Sequence, residues 1–170
     1  MHLPITGSLM IKQSLSNEDY QSLKVFLDRH FEWYTPKYPT TPADTPSQFL
    51  ARIEARSLAN AKKGLQMAVN DIVEESADWT PEQVAAADAR FSAAGTFTLS
   101  EVRQRYSKKY LQILKRGVIR SETEYYLVKG IIDGGGIEPG ATESTQLQVM
   151  LNDFEARLAA SLGQKPTASE

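Results

Sequence analysis

The chain has 170 residues, 41% of them hydrophobic and 24% charged, with a formal net charge of −2 and no cysteine. That length buries a full core as one domain, and the lack of cysteine excludes disulfides, thiolate metal sites and cysteine nucleophiles. No apolar run nears the roughly 20 residues of a membrane span and the N-terminus lacks the regions of a secretory signal, so the expectation is a cytoplasmic protein with no membrane attachment.

Residues 1–15 carry no helical period, and Leu9-Met10-Ile11 reads as a short strand or an arm on the body. Ser16 then offers an N-cap, with Asp19 favouring the helix start electrostatically. Tyr20, Leu23, Leu27, Phe31 and Tyr34 follow at spacings of three and four, one face of an amphipathic helix ending near Trp33. Pro36, Pro39, Pro42 and Pro46 then rule out a helix or central strand, so 35–46 is expected to be a polyproline-like connector.

From Pro46 or Ser47 the apolar period of Leu50, Ile53, Leu58, Ala61, Leu65, Ala68 and Ile72 predicts one long helix to about Glu75, with Gly64 as the point where it bends or splits. Its pattern fits internal packing and a homodimer interface equally. Thr80-Pro81-Glu82-Gln83 combines an N-cap, a proline at the first helical position and a capping-box glutamine, opening an alanine-rich helix that stops at Gly95. Thr98 and Glu101 form a second capping box. The helix they open buries Leu99, Val102, Tyr106, Tyr110, Ile113 and Leu114 and ends at Gly117. Ser121 and Glu124 repeat the box for a helix ending at Gly134, and a last helix runs from about Ser144 to Leu162 with Leu147, Met150, Leu151, Phe154 and Leu158 on its core face.

The expectation is an all-α single-domain bundle of about six helices. An irregular arm covers 1–15, a helical domain with its proline-rich connector covers 16–162, and a disordered tail covers 163–170.

The sharpest functional hint is a run of basic residues from Arg103 to Arg120 with no acidic residue among them, in a chain that is slightly acidic. On one continuous helix, Arg105, Lys108, Lys109, Lys115 and Arg116 share an arc opposite the buried residues, while Arg103 flanks the core side. Such a stripe suits an anionic partner, protein or nucleic acid. It also suits plain solvation, or pairing with Asp71, Glu74, Glu75, Asp78 and Glu82 of the same domain. A helix-turn-helix across Gly117 is disfavoured, because the recognition end would present Glu122 and Glu124 to phosphates.

A second candidate surface is aromatic. Trp33, Tyr34 and Tyr38 flank Pro36-Lys37-Tyr38-Pro39, a bare Pro-x-x-Pro pattern. His30 lies beside Leu27 and Phe31 and reads as a packing residue. Asp71, Glu75 and Asp78 lack the loop spacing of a calcium site. Gly134 to Gly140 lacks the Gly-Lys-Ser/Thr ending of a phosphate loop and reads as a connector. With no cofactor motif and no catalytic constellation visible, the leading expectation is a small helical protein-binding module: an adaptor, inhibitor or immunity-type regulator. It would act by contact on another protein. A sequence-independent nucleic-acid binder using the basic face is the second reading, and an enzyme with a site assembled in space is the third.

Overall fold

The computed structural model describes residues 15–41, 43–134, 137 and 140–163. The expected arm over Leu9-Met10-Ile11 and the tail beyond Gly163 lie outside the described residues. Leu15, at the end of that arm, is buried, and its carbonyl accepts from Lys62 Nζ at 2.8 Å.

The described residues are all-helical, with eight helices and no strand: α1 (Asn17–Tyr34), α2 (Pro46–Glu54), α3 (Leu58–Glu75), α4 (Pro81–Ala93), α5 (Leu99–Tyr106), α6 (Lys108–Arg116), α7 (Glu122–Asp133) and α8 (Thr142–Gly163). Local chemistry sets most ends. Ser16 accepts from the Asp19 amide, and Thr45, Thr80 and Thr98 each form a reciprocal box with Gln48, Gln83 and Glu101. Gly117 closes α6 in the left-handed conformation, φ 74°, which glycine adopts without steric cost.

The count of eight replaces the expected six because two long helices are broken. The first break is at Ala55–Ser57, not at Gly64. Ser57 is extended and its hydroxyl accepts from the Asn60 amide. The break lets α2 fold back so that α1, α2 and α3 all touch one another, which a straight rod would prevent. The second break is at Ser107. Its amide donates to Arg103 O, ending α5, while its hydroxyl accepts from the Tyr110 amide, starting α6.

Two hydrophobic clusters result. The first gathers α1 to α4 with Leu99 and Val102 of α5, and is rich in rings: Tyr20, Phe26 and Phe91 buried, with Trp33, Tyr34, Trp79, Phe97 and Tyr106 packed on it. The second gathers α6, α7 and α8 around Tyr110, Ile113, Ile131 and Leu147, and is mainly aliphatic. The expected core residue Leu158 is instead 41% exposed, since α8 runs past the surface it packs on. Helix α5 touches α3, α4, α6 and α7 and so joins the two clusters.

Candidate functional site

The break at Ser107 divides the basic stripe. Arg105 stays on α5, where its Nη1 lies 4.0 Å from Asp19 and its guanidinium 4.9 Å from the centre of the Phe97 ring. Glu101, four residues before Arg105, accepts from the Thr98 amide, as its capping box requires. Arg116 is drawn inward. It donates to the Val118 carbonyl and to Glu124 Oε2 at 2.5 Å, while the same carboxylate oxygen accepts from the Arg120 amide at 2.8 Å. Glu124 therefore does not close a reciprocal capping box with Ser121; it latches the turn between α6 and α7.

Lys108, Lys109 and Lys115 remain together. They stand exposed on α6, Lys108 and Lys115 opposite its buried Tyr110 and Ile113 and Lys109 on the flank, and none makes a salt bridge among the described residues. Arg120 is exposed in the turn that follows. The stripe pairs with Asp19 and Glu124, and not with the expected Asp71, Glu74, Glu75, Asp78 and Glu82, among the described residues. Nor do three metal-ligating side chains converge among the described residues.

The aromatic corner separates in a similar way. Trp33 lies 5.2 Å from Phe91 with Arg90 4.2 Å above its ring, and Tyr34 lies 5.2 Å from Trp79 and 5.3 Å from His30. Both are half-buried packing residues of the first cluster. Tyr38 alone of the three is exposed, at 66%. The connector folds back on the end of α1: Lys37 Nζ donates to Phe31 O at 2.7 Å, and Asp28 accepts from the Ser47 amide at 2.8 Å. His30 is only 7% exposed, between Phe26 and Tyr34, and burial lowers its pKa to about 4.

A polar joint on α5 was not foreseen. Ser100 donates through its amide to Asp88 Oδ1 at 3.0 Å and through its hydroxyl to Oδ2 at 2.5 Å. A side chain at Gly134 would collide with Ser100, so glycine there admits α7 against α5. Arg103 is 3% exposed and donates from Nη2 to Ser76 O. Burial pushes its pKa down, against the charge of Asp88. A cavity of about 80 Å³ lies beside it, lined in part by Trp79, Val84, Ala85, Asp88 and Tyr126. The sequence signal was the arginine next to Val102 on the apolar side of the helix; nothing local paired it with Ser76 or Asp88.

No protein-family model matches the chain, and neither a curated protein nor a solved structure does. No helix among the described residues is long and apolar enough to cross a membrane.

Proposed function

We propose that the protein is a helical protein-binding module, an adaptor, inhibitor or immunity-type regulator that acts by contact, and that the outer face of α6 docks an acidic protein surface. The observation that carries this reading is the set of exposed lysines, Lys108, Lys109 and Lys115, free of salt bridges among the described residues of a chain whose net charge is −2. Buried Tyr110 and Ile113 hold the helix that presents them, so the charges sit on a rigid platform. Complementary charge of this kind speeds encounter and selects the partner. The internal packing of Trp33 and Tyr34 leaves Tyr38 as the one exposed ring of the aromatic corner.

The nucleic-acid alternative uses the same lysines, Lys108, Lys109 and Lys115, for sequence-independent contact with phosphates. The two readings separate in one experiment. Tagged wild-type protein and the Lys108→Glu/Lys109→Glu variant are used for capture from the source cells, with and without nuclease. We expect a discrete protein that survives nuclease and binds the variant at least roughly tenfold more weakly at low salt, with the difference shrinking as salt rises. Equal capture by a folded variant removes α6 as the docking face. Loss of all capture on nuclease treatment replaces the protein partner with nucleic acid.

A further inference from the structure

The joint on α5 holds a cation that the fold leaves short of acceptors. A guanidinium carries five N–H donors. Among the described residues only the Ser76 carbonyl accepts from Arg103, and its buried Nε has no partner. Asp88 is close enough to be felt electrostatically, yet both of its oxygens are engaged by Ser100, and no salt bridge to Arg103 forms among the described residues. A buried charge with neither counter-ion nor full hydrogen bonding is unfavourable, and here it lines a cavity.

That cavity selects by shape and charge. Trp79, Val84, Ala85 and Tyr126 give it an apolar wall. At its rim Lys129 lies 3.6 Å from Asp133. The charged side chains lining it, Arg103 and Lys129 against Asp88 and Asp133, cancel. Asp88 and Asp133 repel a phosphate dianion about twice as strongly as a monoanion, whose single charge Arg103 alone neutralises. The volume of about 80 Å³ is well below the roughly 300–1,000 Å³ of drug-sized sites and the roughly 150 Å³ that encloses benzene, so only the carboxylate end of a ligand is enclosed and its ring lies at the open rim beside exposed Tyr126.

We infer that the cavity between α4, α5 and α7 binds a small apolar monocarboxylate, its carboxylate on Arg103 and its ring against the Trp79 and Tyr126 side. Charge-assisted hydrogen bonds to the guanidinium supply orientation, and the apolar wall supplies burial.

The test is a titration of the full chain, labelled with nitrogen-15, with benzoate, following the arginine Nε–H resonances. Benzamide, of the same shape without the charge, is the control. Ala85→Phe, at an exposed position on the cavity wall, plugs the site without touching Arg103. We expect one arginine resonance to shift saturably with an apparent Kd of about 1 mM or tighter, and at least roughly tenfold weaker binding both for benzamide and in the variant. No shift up to about 20 mM benzoate, an equal response to benzamide, unchanged binding in folded Ala85→Phe, or equal saturation by sodium sulfate each overturns the inference.

Discussion

The two halves of the molecule are held together differently. The first cluster is stabilised by rings in contact: Phe26 on Phe91 at 4.6 Å, Trp33 on Phe91, Tyr34 on Trp79. The second is mainly aliphatic, and its tyrosines are tethered to carboxylates. Tyr110 donates to Glu143 and Tyr125 to Glu155, each at 2.5 Å, and Arg157 donates to Ile119 O at 2.8 Å. The two clusters are separate groups of buried residues, and α5 touches helices of both. Apolar packing therefore builds each half; Asp88, Ser100, Arg103 and Ser76 tie α5 to α3 and α4 within the first half, and Ser100 meets α7 of the second through Gly130 O at 3.5 Å and the close approach of Gly134.

Both tryptophans belong to the first half, so tryptophan fluorescence follows that half and far-ultraviolet circular dichroism follows the whole chain. The largest expected effect comes from Phe91→Ala, which opens a cavity where α1 and α4 meet and costs about 3–5 kcal/mol. Because α5 inserts into the first cluster and leads directly into the second, both probes should shift together in urea. A shift in fluorescence alone would show that the halves unfold as separate units.

The next effect is an acid sensitivity that originates in the first half. His30 has its pKa lowered to about 4 from 6.5 by burial. The unfolded chain therefore takes up a proton that the folded one refuses. His30's contribution is fully present above pH 6.5 and is lost as the pH falls towards 4, on the order of 3 kcal/mol over the whole window. Glu54, whose pKa is lowered by Lys24 and Tyr20, acts in the same direction but only below its ordinary value of 4.5. Urea midpoints at pH 7 and pH 5 should differ less for a folded His30→Phe variant than for wild type; an equal difference would remove His30 as the cause.

The smallest effect sharpens the comparison most. Ser100→Ala removes the hydroxyl from Asp88 and should cost about 1–2 kcal/mol, while touching few apolar contacts. If the contact of the Ser100 hydroxyl with Gly130 O of α7 couples the halves, the fluorescence and circular dichroism transitions separate in this variant. Coincident transitions would assign the coupling to the apolar residues of α5.

Where a helix starts or stops through contacts three or four residues away, the sequence showed it. Ser16, the Thr80–Gln83 and Thr98–Glu101 boxes, and Gly117 are such cases. The breaks at Ser57 and Ser107 were hidden because each serine caps without a glutamine or glutamate three residues on: Asn60 and Tyr110 stand there. With the apolar period running through them, both looked like helix interior. The second break moved the candidate site, since the shared arc of Arg105 and Lys108 exists only on an unbroken helix. The lysines of α6 stayed legible because one short helix carries all three.

The sequence by itself determined the helical character and most helix ends, because hydrogen bonds between near neighbours and a 3.6-residue apolar period are local properties. Tertiary structure alone decided that Trp33 and Tyr34 pack inward, that Arg116 goes to Glu124, and that Arg103 lies buried beside a cavity. Those outcomes depend on which surfaces distant segments bring together. A charge or a ring becomes a partner, a packing element or a site according to what the fold places opposite it.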